Sequence, residues 1–119
     1  MNKLTASRFS DLEEACAHYL DMVDSLVTER RYVAPDKAEA RRLKLADAVA
    51  GSGAWVEAEA AALGVPVAEV CQMVLDKKAM KDSESAKLEA ARIQCRNEVR
   101  SCSTIKGMYA AVEQLRRQL

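Results

Sequence analysis

Apolar side chains in this chain return every three or four residues, and nowhere do they alternate with period two over a strand's length. That spacing fits helices and excludes a sheet, because a strand shows alternate residues to opposite faces. Composition agrees: Ala dominates the apolar residues, β-branched residues are sparse, and there are only four Gly and two Pro. A chain of 119 residues can bury one core without staples. The expected fold is therefore all-α, a compact bundle of five to six short helices in a single domain, residues 1–119, with a possible sub-boundary at 51–53.

The breakers place the helices. Ser10-Asp11-Leu12-Glu13 reads as a capping box with Ser10 at the cap. Behind it Leu12, Cys16, Tyr19, Val23 and Leu26, with Leu20 and Val27, form an apolar stripe to about Arg31. Pro35 pushes the residue before it out of the α region, and Asp36 with Glu39 can cap a second helix to about Ala50. Leu43, Leu45, Ala46 and Val49 are its apolar residues. Gly51-Ser52-Gly53 ends it. A short third helix, residues 54–63, carries Trp55 and Val56, and Gly64 is placed to close it in a left-handed conformation. Pro66 suits the first turn of a fourth helix bearing Val67, Val70, Met73 and Val74, which fades in Asp76-Lys77-Lys78. A fifth is expected from Asp82 or Ser83, carrying Leu88, Ala91, Cys95, Val99 and Cys102. The last, with Ile105, Met108, Tyr109, Val112, Leu115 and Leu119, is capped by Ser103 or Thr104. Its wide stripe suggests a homodimer, since chain ends fray unless something holds them.

Charge is distributed in alternating blocks although the total is zero. Residues 1–29 carry six acids and two bases, residues 30–50 six bases and three acids, residues 51–76 four acids and no base, and residues 77–119 ten bases and five acids. Such blocks suggest acidic and basic helices facing each other within the fold or across a dimer. Arg92, Arg96 and Arg100 sharpen this expectation. Like charges at i, i+4 and i+8 repel on an isolated helix, so something acidic should face them. Either the acidic first helix or a phosphate would serve. Arg41, Arg42 and Lys44 form a second basic cluster open to the same two readings, and the acidic helix is preferred for both.

Residues 56–76 resemble the helix-turn-helix of DNA-binding regulators. The matching positions are Ala60, small where two helices cross; Leu63 and Val65 beside the turn; Gly64 in it; and Val70 and Met73 on the inner face of the second helix. Glu59 departs from the family's usual apolar residue. The resemblance implies that the outer face of the second helix, Ala68, Glu69, Gln72 and Asp76, would enter the major groove, with Gln72 reading adenine and phosphate contacts from Arg41, Arg42, Lys77, Lys78 and Lys81. Against that stands the charge. Glu69 and Asp76 repel phosphate, and the segment has no cation of its own. The five aromatics (Phe9, Tyr19, Tyr32, Trp55, Tyr109) fall mostly on apolar faces and leave no base-stacking platform.

Catalysis finds no constellation. The only His, His18, is expected to be a solvated surface imidazole, and no phosphate cradle, nucleophile elbow or paired metal-ligand motif occurs. Cys16, Cys71, Cys95 and Cys102 lack CxxC spacing; Cys95 and Cys102, seven apart on a helix, are about 10 Å apart along its axis, too far for a disulfide. They read as small buried hydrophobes in a reducing compartment. The longest apolar run, residues 60–68, is nine residues and contains Gly64 and Pro66, so it cannot span a bilayer. The N-terminus turns polar too soon for a signal peptide. These features point to a cytoplasmic, non-catalytic helical protein without cofactor or metal, of bacterial or phage accessory style. It would act by binding protein, itself included. The alternative is a DNA-binding helix-turn-helix regulator.

Overall fold

The computed structural model describes residues 11–119, and among these every regular element is a helix. In chain order they are α1, Leu12–Arg31; α2, Pro35–Ala50; α3, Ala54–Leu63; α4, Val67–Ser101; and α5, Ile105–Gln118. Ser10, the expected cap of α1, and Phe9 lie outside the described residues. The N-cap of α1 is Asp11, whose Oδ1 accepts from the Glu14 backbone N–H at 2.7 Å. Asp36 does not cap α2. Pro35 opens that helix at a position where the missing N–H costs nothing, and Ala34 precedes it without a side-chain cap.

The expected break after Asp76 is absent, and α4 runs unbroken for 35 residues. No Gly or Pro interrupts residues 67–101. Asp82, Ser83 and Ser85 only weaken a helix, whereas Lys78 bonds Asp82 at 2.8 Å and Lys81 approaches Glu84 at 3.7 Å across the suspected gap. Polarity alone does not stop a helix when the backbone can continue.

The helices do not share one core, as a single compact bundle would. They gather into two compact units: one of residues 11–32 and 86–119, the other of residues 33–85. The divisions fall after Tyr32 and after Ser85, while the 51–53 connection lies inside the second unit. Between Asp76 and Lys87 the only large apolar side chain is Met80, which is exposed, so no stripe continues the buried clusters across that stretch.

In the first unit Ala15, Tyr19, Val23 and Val27 of α1 meet Cys95 and Val99 of α4 and Met108, Val112 and Leu115 of α5. The rings of Tyr19 and Tyr109 meet edge-on at 6.4 Å. Leu12, expected to begin the α1 stripe, is exposed, and Ala15 takes the buried place one turn further on. α5 follows a tight turn capped by Thr104, whose Oγ1 accepts from the Gly107 N–H at 3.0 Å. Met108, Val112 and Leu115 of its apolar stripe are buried within the unit, while Ile105, Tyr109 and Leu119 are only partly so.

In the second unit the buried cluster is Ala48, Val56, Ala60, Val70 and Cys71, with Val65, Val67, Val74 and Leu75 packed around it. The Asp47 carboxylate of α2 accepts from the Trp55 backbone N–H at 2.8 Å and so caps α3 from another helix. Gly53, at φ +146°, lies against that carboxylate, where any Cβ would overlap it.

Candidate functional site

The corner between α3 and α4 has the shape that the sequence resemblance implies. The two axes turn through 108°, across the three residues Gly64-Val65-Pro66. A helix-turn-helix uses this range of angle and loop length. Gly64 closes α3 at φ +68°, a conformation that costs a side-chain-bearing residue, and Val65 N–H returns to the Ala60 carbonyl at 3.1 Å. The Pro66 carbonyl accepts from Glu69 N–H at 3.1 Å, so Pro66 stands just before α4 rather than in its first turn. Ala60, Val56 and Val70 are buried where the helices cross. Leu63 and Met73, expected as anchors, are instead exposed. The crossing is closed by small residues, and Cys71 takes the buried position that Met73 was expected to hold.

The outer face of α4 is exposed at Ala68, Glu69, Gln72 and Asp76, as a reading face requires. Its chemistry is committed elsewhere. Gln72 Nε2 donates to Asp76 Oδ1 at 2.8 Å, one turn along the same helix. Lys78 is paired with Asp82, leaving exposed Lys77 as the nearest cation without an ion pair among the described residues.

The basic clusters divide. Arg92 Nη1 donates to Asp24 Oδ1 at 3.0 Å, and Arg96 Nη1 donates to Asp24 Oδ2 at 2.8 Å and to the Leu20 carbonyl at 3.3 Å. The acidic first helix therefore faces this arginine row, as its like charges require. Arg100 lies beyond it, exposed. Arg92 also forks onto Glu89, which Arg31 approaches at 3.7 Å. The Arg92 hydrogen bonds, with the charges of Arg92 and Arg31, hold the Glu89 carboxyl below its ordinary value despite some desolvation; hydrogen bonds to Glu89 and Asp24 raise the Arg92 guanidinium above its own. In the second cluster Arg42 forks onto Glu39 of its own helix, Lys44 bonds Glu59 of α3 at 2.7 Å, and Arg41 is exposed.

The four thiols are free. Cys95 Sγ donates to the Ala111 carbonyl at 3.5 Å, and burial, with Glu98 and Cys102 nearby, pushes its thiol up to about 11. Cys102 is raised for the same first reason, so neither is poised as a thiolate nucleophile. His18 is half-buried, its ring edge-on to Tyr19 at 5.1 Å, and is not the fully solvated imidazole expected. Among the described residues no group of three His, Cys, Asp or Glu side chains could hold a metal ion, and no single helix is long and apolar enough to cross a membrane.

A surface that sequence reasoning missed lies on α3. Val56 and Ala60 point inward, while Ala54, Trp55, Ala58, Ala61 and Ala62 are exposed on the opposite side. Trp55 keeps 44% of its surface open, and Leu63, at the end of the helix, 56%. A surface helix ordinarily sets polar residues opposite its buried stripe; this one has none there. The signal was present in the sequence, because α3 has only Glu57 and Glu59 as polar residues, both at the edges of that face. No protein-family model matches the chain, and no curated protein or solved structure is significantly similar to it.

Proposed function

We propose that this chain is a small non-catalytic helical protein that works by binding another protein, with the outer face of α3 as its contact surface. The observation that carries the reading is Trp55, 44% exposed among four exposed alanines on the side of α3 opposite buried Val56 and Ala60. Contiguous apolar surface that a fold leaves open is a feature of interaction sites, and Trp is enriched among the residues that dominate binding energy. The well-packed first unit supports this division of labour, since its Arg92 and Arg96 and much of its C-terminal stripe are engaged within the unit.

The test is affinity capture from a native lysate with the full chain, at two salt concentrations, with and without nuclease, beside Trp55→Ala. Protein captured regardless of nuclease and lost with Trp55→Ala is the expected result. Capture that disappears with nuclease, or that ignores Trp55, defeats the reading.

The 108° corner favours a second reading, a DNA-binding regulator. Its weakness is electrostatic. Glu69 and Asp76 stand where phosphate would approach, and Gln72 is bonded to Asp76. Retardation of a duplex in a gel shift that depends on sequence and is relaxed by Gln72→Ala would promote this reading. Loss of affinity for all sequences alike in a Lys77→Ala, Lys78→Ala double variant would identify the phosphate contacts.

A further inference from the structure

Resting on the protein-binding reading, we infer that the outer face of α3 takes a cationic amphipathic helix from a partner protein. Shape and charge around this face both enter the inference. The exposed strip Trp55, Ala58, Ala62, at i, i+3 and i+7, is shallow because alanine side chains are short, so a second helix can approach closely and use Trp55 as its large contact. Glu57 borders one edge of the strip and Glu59 the other, and the Asp47 carboxylate sits at its N-terminal end, bonded to Trp55 N–H. Among the described residues Lys44, paired with Glu59, is the one cation bonded to any of these three acids. Residues 51–76 contain no Lys or Arg to offset these acids.

That border selects among occupants. A twofold contact through this face would set the same acids against each other, because a symmetric interface presents one patch to itself. Anionic lipid and nucleic acid are disfavoured by the same sign. A helix with Leu-like residues at i, i+3, i+4 and i+7 and Lys or Arg on its flanks meets both the apolar strip and the acidic border.

Trp55 is the only tryptophan in the chain, so its emission reports on this face alone. The full chain is titrated with an end-blocked Leu/Lys amphipathic helical peptide and with a Leu/Glu peptide of the same length and leucine spacing. The expected result is a saturable blue shift with the Leu/Lys peptide, binding about tenfold tighter than the Leu/Glu peptide, from a few surface charge pairs. Rising salt should weaken it, and Glu57→Lys should weaken it roughly threefold. Glu57 is exposed and carries no ion pair among the described residues, so this variant keeps the fold. Equal response to both peptides overturns the charge assignment and leaves protein binding standing. A blue shift that grows with protein concentration alone assigns the face to a second copy and overturns the cationic partner in the same way. A shift with zwitterionic vesicles but neither peptide overturns it in favour of lipid. Silence towards every probe overturns it too, and if Trp55→Ala also leaves lysate capture unchanged, the protein-binding reading falls with it.

Discussion

The two units spend their apolar side chains differently. The first turns Tyr19, Met108, Leu115 and several valines inward, and ties α1 to α4 with two arginines on one aspartate. The second has a core of two alanines, two valines and a cysteine, while Val49, Trp55, Leu63 and Met73 remain exposed. Burial stabilises in proportion to the area removed from water, so the larger core contributes more to holding its unit together. Size of residue does not decide what a core is made of here. The second unit buries small residues because α3 and α4 cross at Ala60, and the larger side chains fall outside that crossing.

The greatest effect should separate the cores. Met108→Ala removes a side chain 1% exposed and leaves a cavity, at a cost of about 2–5 kcal/mol. Val56→Ala, fully buried in the smaller cluster, should cost about 1–3 kcal/mol. Chemical denaturation followed by far-UV circular dichroism, with Trp55 emission as the probe of the second unit, measures both. A Val56→Ala cost at or above that of Met108→Ala would break the comparison.

Backbone strain in the second unit comes next. Gly53 has φ +146° and ψ 163°, a region that is essentially glycine's, and a Cβ there would meet the Asp47 carboxylate that caps α3. Gly53→Ala should cost about 2–3 kcal/mol, since strain and loss of the cap add. Gly64→Ala at φ +68° meets no atom within 4 Å, so only the left-handed conformation counts, about 1 kcal/mol. Adding Asp47→Ala to Gly53→Ala should cost less than the two changes summed, because the clash is removed with the carboxylate. Strict additivity in that double variant would rule out the contact as the cause.

Much of this was legible in the sequence. Pro35, Gly53 and Gly64 bound the middle helices where the structure has them, and the Arg92–Arg96 row asked for the acidic helix that supplies Asp24. Three features were not legible. Continuity of α4 through Asp82 and Ser83 depends on local pairs that a scan for polar residues reads as a break. The Asp47 cap comes from eight residues upstream on another helix, beyond the reach of any local capping rule. The outward turn of Trp55 was hidden because α3 is apolar on both sides, so periodicity alone gives it no inside.

The smallest effect contrasts two carboxylates, one in each unit, that arginine holds below their ordinary pKa. Glu39 meets Arg42 three residues away on the same exposed helix. Glu89 meets Arg92 likewise, but Arg92 also reaches Asp24, and Arg31 of α1 comes within 3.7 Å of Glu89. A group whose folded pKa is depressed stabilises the fold above its unfolded value, about 4.3 for Glu, and loses that contribution as pH falls through the lower folded value. The arginines stay charged throughout, so the change belongs to the carboxylates. Acid titration below about pH 4 should therefore weaken both pairs, but only protonation of Glu89 should loosen α1 from α4. Circular dichroism titrations of Glu89→Gln and Glu39→Gln test this: both should flatten the acid limb of the stability profile slightly, the first more than the second. Salt should shrink the difference, because both sites are open to solvent. Identical acid limbs for the two variants at low salt would show that Glu89, like Glu39, acts only within its own helix.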